Sequence, residues 1–159
     1  MNKIVMQTDF GCMPSAMVGV CKIVDPALKV YPVAFDVRTF NIEKAGNNLV
    51  EVLPYWPAGT VFVSVVDPGV GSNRKSVVAK TSRGQYIVTP NNGTLTHIKR
   101  FVGIEELREI EEKTNRLANS ELSYTFHGRD VYAYTGARLA AGVIDFAGVG
   151  PEDPEIVRL

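Results

Sequence analysis

Two segments of the sequence contain residue types that can act on water or on a small substrate. The first (VDPGVGSNRKS, residues 66–76) contains Asp67 and Arg74, and the second (YTFHGRD, residues 124–130) contains His127. A carboxylate, a guanidinium and an imidazole on glycine-rich turns can orient water, carry a proton or stabilise charge. This combination predicts an enzyme rather than a generic globular domain.

A strand and a helix are expected to position these two segments. Residues 60–66 (TVFVSVV) form an almost unbroken run of β-branched and apolar residues, which predicts a buried strand that leads into the first segment. Residues 129–142, rich in alanine and tyrosine, predict the last long helix, which the second segment opens. The candidate chemistry therefore lies on turns at the ends of core elements.

The rest of the sequence alternates between strand and helix patterns. Further strands are predicted at residues 3–8, 29–35, 76–81 and 85–89, and helices at residues 15–24, 42–53 and 94–102. This alternation predicts the α/β class, with a layered α/β/α domain around a mostly parallel central sheet. One domain is expected over residues 1–159, and its last part, residues 148–159, is interpreted as a linker-like tail because it is rich in proline and acidic residues.

Local signals refine several of these elements. Asn41 is a good N-terminal cap for the helix over residues 42–53, and Pro32 places its strand at a sheet edge. The two strands at 76–81 and 85–89 flank a turn and predict an antiparallel hairpin. Residues 104–110 fit either a helix or an edge strand, and the polar residues 111–122 predict a loop.

Composition excludes several classes of function. The 159 residues carry 17 basic and 17 acidic side chains, so no basic surface indicates nucleic-acid binding. No apolar run approaches the roughly 20 residues needed to cross a bilayer, so no membrane partner is expected. Cys12 and Cys21 offer no disulfide framework, which favours reduced thiols in a cytoplasmic protein. His97 and His127 lack the neighbours of a metal-binding motif, so no metal is expected.

Four segments in this order and at these separations resemble the S-adenosyl-L-methionine hydroxide adenosyltransferase family, which is related to fluorinases and chlorinases. They are residues 8–11 (TDFG), residues 65–71 (VVDPGVG) followed by Arg74, residues 89–93 (TPNNG) and residues 125–130 (TFHGRD). Residues 54–61 (PYWPAGTV) and 155–158 (EIVR) also resemble that family, so the resemblance covers nearly the whole chain.

The resemblance implies hydrolysis of S-adenosyl-L-methionine to adenosine and L-methionine, by attack of water or hydroxide at the 5′ carbon of the ribose, without a cofactor. The family's Asp, Arg and His correspond to Asp67, Arg74 and His127. Halogenases carry other residues at the Asp and His positions, so the chain resembles the hydrolase branch. Arg74 is expected to favour hydroxide over water, His127 to take or hold its proton, and Asp67 to orient the group and balance charge. Which of the three acts as the base is open at this point.

The same correspondence implies a set of substrate-binding residues. Asp9 is expected to meet the ribose hydroxyls and Phe40 to lie over the sugar. The other residues expected to line the substrate are Val70, Asn91, Phe126 and Gly128. For Phe40 and Phe126, ordinary core packing is an equally good interpretation. Residues 12–17 contain no carboxylate, which predicts a weak grip on the methionine ammonium.

Family members usually continue into a smaller, β-barrel-like second domain that forms the adenine pocket with a neighbouring subunit of a trimer. The sequence ends at Leu159, where that domain is expected to begin. A homo-oligomer, with a trimer favoured, is therefore expected to hold sites between subunits. The alternatives are a non-catalytic subunit that binds adenosine or S-adenosyl-L-methionine or has a structural role, a halogenase, and a lyase that forms homoserine lactone.

Overall fold

The computed structural model describes residues 2–10, 14–33, 37–120, 126–153 and 155–159. Its strands are β1 (Lys3–Thr8), β2 (Lys29–Pro32), β3 (Val61–Val65), β4 (Ser76–Thr81), β5 (Tyr86–Pro90) and β6 (Ile104–Glu109). Its helices are α1 (Ser15–Val24), α2 (Ile42–Val52), α3 (Thr96–Phe101) and α4 (Tyr134–Ala140). Short 3-10 turns lie at Leu53–Tyr55 and Ala147–Val149, and a π-helical turn at Gly128–Ala133 runs directly into α4.

The strands form one six-stranded sheet in the order β2-β1-β3-β5-β4-β6. The pairs β1–β2, β1–β3 and β3–β5 are parallel, whereas β4 pairs antiparallel with both β5 and β6. The predicted α/β fold with a mostly parallel sheet and one hairpin is confirmed. Of the ambiguous residues 104–110, residues 104–109 form the edge strand β6.

Side chains of the central strand β3 alternate between two cores, one on each face of the sheet. Val63 packs with residues of α1 and α4, while Phe62 packs with residues of α2 and α3. Every residue of β3 is buried, which agrees with its unbroken apolar run. Helices therefore cover both faces of the sheet, as expected for the α/β/α layering.

Local signals were informative about where elements begin and end. The Asn41 side chain accepts a hydrogen bond from the backbone N–H of Lys44 at 3.0 Å, so its capping role is confirmed. Pro32 ends β2, which lies at the sheet edge. The predicted continuation of this strand to residue 35 lies outside the described residues. The predicted helix at 129–142 is confirmed as helical, although its first turn is of the π type.

Residues 148–153 and 155–159 make hydrogen bonds with the rest of the chain, and their description as a linker-like tail stays a prediction. The backbone N–H of Asp153 donates to Leu107 at 2.8 Å, and Glu152 forms a bridge with Arg108 of β6. The Asp153 carboxylate is buried and lies 3.1 Å from Lys75 Nζ. Most described residues of the segment are exposed, as its proline and acidic content indicated, while one β-bridge and this ion pair attach it to β6 and to Lys75. That residues 1–159 form a single domain stays a prediction.

The parallel strands bring the candidate loops to one edge of the sheet. Asp9 follows β1, Asp67 follows shortly after β3, and Asn91 follows β5. The carboxyl ends of parallel strands are where α/β folds bind ligands. Across the part of the chain that is described, no helix is long and apolar enough to span a membrane.

Gly136 allows α4 to lie directly against β3, because a Cβ there would stand only 2.6 Å from Val63 Cγ2. We expect Gly136→Ala to lower the free energy of unfolding. Overpacking against β3 costs about 1–3 kcal/mol, whereas the higher helix propensity of alanine stabilises the variant by only about 1 kcal/mol. Urea denaturation measures the difference.

The matched control is Gly19→Ala in the interior of α1, where a Cβ would meet nothing within 4 Å. Alanine there should stabilise the chain by up to about 1 kcal/mol. Equal stability changes in the two variants would contradict the close approach of α4 to the sheet.

Candidate active site

A cavity of about 510 Å³ opens at the edge of the sheet where β1 and β3 end. Its volume lies within the range of about 300–1,000 Å³ that is typical of small-molecule sites. Its lining is mostly apolar, and it is formed by Asp9, Phe10, Pro14, Ala16, Met17, Phe40, Val65, Asp67, Val70, Phe126, Gly128 and Arg129.

Six of the residues predicted from the sequence line this one cavity: Asp9, Phe40, Asp67, Val70, Phe126 and Gly128. Phe40 and Phe126 are 59% and 53% exposed, and the neighbouring Phe10 is 57% exposed. Core packing is therefore wrong as an explanation for Phe40 and Phe126. The three rings form an aromatic rim around the cavity.

Asp9 holds part of this rim in place. Its Oδ2 accepts a hydrogen bond from the backbone N–H of Phe40 at 2.7 Å. Phe40 has a φ of 63°, a left-handed conformation that is unusual for a bulky residue. Such strain costs on the order of 1–3 kcal/mol and persists only where surrounding contacts enforce it. The Asp9 carboxylate thus both faces the cavity and fixes the Phe40 backbone beside it.

Asp67 and Arg74 form a bidentate ion pair beside the cavity. Arg74 Nε donates to Asp67 Oδ1 at 2.9 Å, and Arg74 Nη2 donates to Asp67 Oδ2. The side chains of Arg74 and Asp67 are only 12% and 5% exposed. Burial opposes the charge of the guanidinium, but the hydrogen bond to Asp67 and nearby acidic groups outweigh burial and raise the pKa of Arg74. A permanent positive charge is therefore held next to an apolar cavity.

The fully buried Tyr132 connects this pair to the second predicted segment. Its hydroxyl lies 2.9 Å from Ser76 Oγ, which also accepts a hydrogen bond from Arg74 Nη1 at 3.3 Å. The Arg74 Cζ lies 5.7 Å from the centre of the Tyr132 ring, and the His127 ring centre lies 6.5 Å from it. Burial raises the pKa of the Tyr132 phenol, which keeps the hydroxyl neutral.

His127 is held on the other side by an acidic residue from the loop after β6. His127 Nε2 lies 3.2 Å from Glu112 Oε1, and its side chain is only 6% exposed. The hydrogen bond from His127 lowers the pKa of Glu112 against the opposing effect of burial, and the nearby basic side chains of Arg116 and Arg74 lower it further. Asp67, Arg74 and His127 thus belong to one cluster around Tyr132, together with Glu112.

Asn91 is not among the residues that line the cavity. Its amide nitrogen donates to the carbonyl of Glu155 at 2.9 Å, and its Oδ1 accepts from the N–H of Val157 at 2.9 Å. In this structure it holds the C-terminal segment. The neighbouring Asn92 donates to the carbonyl of Val66 at 2.8 Å and so supports the loop that carries Asp67.

Several residues of this region were not predicted as site residues from the sequence. Ser76, Tyr132, Glu112 and Arg129 each contact a predicted residue or line the cavity. Tyr132 and Arg129 share the second motif's helix with His127, which was an available signal, but Glu112 lies in a polar stretch without a pattern. Residues 11–13 lie outside the described residues. They include part of the loop that is expected to bind the methionine ammonium weakly. Among the residues that are described, no group of three or more His, Cys, Asp or Glu side chains is suited to a metal.

Comparisons with known proteins agree on one family. The family model described as the SAM hydroxide adenosyltransferase N-terminal domain matches residues 4–150. An (R)-S-adenosyl-L-methionine hydrolase of Methanocaldococcus jannaschii is 34% identical over 98% of this chain and 59% of the relative. An enzyme of the same name from Salinispora tropica is 35% identical over 96% of this chain and 59% of the relative.

A solved structure gives the same result for the fold. An uncharacterized conserved protein from Thermotoga maritima superimposes with a TM-score of 0.91 at 36% identity, over 98% of this chain and 60% of that one. The chain thus spans about 59% of the length of the curated relatives it matches.

We expect Asp67→Ala to destabilise the protein strongly, because it leaves the nearly buried Arg74 charge without its carboxylate. Breaking a buried ion pair on one side costs about 3–5 kcal/mol. The control is Glu105→Ala, which removes a carboxylate 4.0 Å from Lys80 in an exposed pair and should change stability by no more than about 0.5 kcal/mol. Denaturant unfolding of both variants measures the change in the free energy of unfolding. Small and similar decreases in the two variants would show that burial of the Arg74 charge does not require Asp67.

Proposed function

This chain belongs to the SAM hydroxide adenosyltransferase family, and from that premise we propose that it hydrolyses S-adenosyl-L-methionine to adenosine and L-methionine. The observation that carries the proposal is the cluster of Asp67, Arg74 and His127 beside a mostly apolar cavity with an aromatic rim. The names of the relatives support the same substrate and reaction.

In the proposed reaction, water attacks the 5′ carbon of the ribose and the C–S bond breaks. Both electrons of that bond go to sulfur, so methionine leaves as a neutral thioether, adenosine gains the oxygen and one proton is released. The sulfonium is already a good leaving group, so the protein's task is to hold water in line with the C–S bond and to limit competing solvent. Arg74 favours the hydroxide form of the attacking water, and Asp67 orients the Arg74 guanidinium through their ion pair.

The cavity suits a nucleoside that carries a sulfonium. Phe10, Phe40 and Phe126 offer ring faces for stacking on a flat base and for attraction of a cation. The guanidinium of Arg129 already lies 4.7 Å from the centre of the Phe126 ring. The Asp9 carboxylate at the end of β1 is a suitable acceptor for two ribose hydroxyls. These features support Asp9, Phe40, Val70, Phe126 and Gly128 as substrate-binding residues.

We further propose that the working form is a homo-oligomer, with a trimer favoured, in which another subunit covers the exposed aromatic rim. Three large rings exposed around one cavity support such a covering surface. A cytoplasmic location and a reaction without a cofactor remain part of the proposal.

The direct test is incubation of the purified protein with S-adenosyl-L-methionine in oxygen-18 water. We expect adenosine and methionine in equal amounts, with the heavy oxygen on the adenosine 5′ carbon. Homoserine lactone as the second product would show that the protein is a lyase. A halogenated nucleoside formed in halide buffer would show that it is a halogenase. Either result would contradict the proposed hydrolysis. Binding of the substrate without turnover would indicate a non-catalytic binding subunit.

We expect Arg74→Ala to lower kcat by at least about a hundredfold, because it removes the positive charge that favours hydroxide. The matched control is Arg83→Ala, since Arg83 lies on the turn between β4 and β5, its side chain donates to the carbonyl of Pro54 at 3.1 Å, and it does not line the cavity. Adenosine release is measured by chromatography, and circular dichroism verifies that both variants fold. Near-normal release by Arg74→Ala would remove this residue from the mechanism.

A further inference from the structure

We propose that Glu112 is a positioning residue for the reaction: it accepts the Nε2 proton of His127 and so fixes the tautomer and orientation of that imidazole. This inference rests on the proposed function, in which His127 acts on the attacking water. Glu112 itself lies in the irregular segment after β6 and is not among the residues that line the cavity.

The contact is well defined on both sides of the carboxylate. Glu112 Oε1 lies 3.2 Å from His127 Nε2 and accepts a hydrogen bond from Arg116 Nη1 at 3.1 Å. Arg116 also donates to the carbonyl of Ser120 at 3.3 Å and has a side chain only 9% exposed. The nearly buried guanidinium of Arg116 therefore holds the Glu112 carboxylate in a fixed position.

An ionised carboxylate can only accept hydrogen bonds, so the proton of the shared hydrogen bond belongs to Nε2 of His127. In the neutral imidazole, Nδ1 is then the nitrogen with the lone pair. The pKa of Glu112 is lowered chiefly by its hydrogen bond with His127, so the carboxylate stays ionised at neutral pH. The Glu112 carboxylate thus favours the tautomer in which Nε2 carries the proton.

The charges around the imidazole favour this arrangement. Arg74 and Arg116 lie close enough to Glu112 to lower its pKa, and Glu112 in turn helps to raise the pKa of Arg74. Tyr132 packs against the His127 ring from the π-helical turn and is neutral. Among the described residues, Glu112 is thus a carboxylate in direct contact with His127, while Asp67 is paired with Arg74.

Glu112 is well placed to affect chemistry without supporting the fold. Its side chain is 42% exposed, and an ion pair of that exposure contributes little to stability, about 0–1 kcal/mol. Glu112→Gln should therefore fold normally. The neutral amide can donate or accept, so it no longer forces the proton onto Nε2.

The test compares Glu112→Gln with Glu111→Gln, which removes the same charge from the adjacent, exposed position. Nitrogen-15 NMR of the imidazoles reports which ring nitrogen carries the proton. The chain has two histidines, so a His97→Gln variant assigns the His127 signals. We expect the Nε2–H form in the wild type and in Glu111→Gln, and a mixture of tautomers in Glu112→Gln.

The kinetic readout is adenosine release. We expect Glu112→Gln to lower kcat by about a hundredfold, at the lower end of what general acid–base catalysis contributes, with KM little changed because Glu112 does not line the cavity. Glu111→Gln should retain wild-type kinetics. An unchanged tautomer in Glu112→Gln, an unchanged kcat, or an equal loss in Glu111→Gln would each overturn the inference.

Failure of the proposed function gives a different result. In that case the wild type itself releases no adenosine, and the NMR comparison alone decides whether Glu112 fixes the His127 tautomer. A shift to mixed tautomers in Glu112→Gln would support the positioning role in a site of other function, whereas an unchanged tautomer would overturn it.

Discussion

The site depends on one physical constraint: the full positive charge of Arg74 has to be kept nearly buried beside a mostly apolar cavity that its partner Asp67 lines. Asp67 lies just beyond the end of the buried strand β3. The loop that follows brings Arg74 back to Asp67, to which it donates two hydrogen bonds. Each charge makes the burial of the other tolerable. The start of this loop is held by Asn92, which donates to the carbonyl of Val66 just before Asp67. Within the loop, the backbone N–H groups of Val70 and Ser72 donate to the carbonyls of Asp67 and Gly69.

The second half of the site depends on how the π-helical turn meets the sheet. Gly128 lies where a Cβ would stand 3.4 Å from both Met17 Sδ and Val65 Cγ1, so the turn approaches α1 and β3 closely. One turn of π-helix is typical of functional sites because it shifts side chains around the helix axis. Here it places His127 and Tyr132 near each other and Tyr132 against Arg74. The cluster therefore needs β3, the loop after it and this turn together.

Sequence patterns were sufficient for the class of the fold and most strands of the sheet, because apolar periodicity and turn chemistry are local properties. The site residues came from the family resemblance, and six of them line one cavity. The failures concern residues whose roles depend on distant contacts. Asn91 follows β5 as expected, yet its amide is used by Glu155 and Val157. Glu112 lies in a polar stretch with no periodicity, and only the three-dimensional return of that loop brings it to His127. The contacts of the C-terminal segment with β6 and Lys75 were not predicted for the same reason, because its proline and acidic content carries no information about distant partners.

The charges of the cluster also explain why these residue types suit the proposed substrate. Asp67 and Glu112 carry two negative charges and Arg74 and Arg116 two positive ones, so the cluster is neutral while His127 is neutral. The substrate brings one positive charge on sulfur, and breaking the C–S bond removes it. If the proton of the attacking water passes to His127, a positive charge appears beside Glu112 as the one on sulfur disappears. The total charge of the site then stays constant through the reaction, so no net charge has to be created in apolar surroundings, where an unpaired charge is costly.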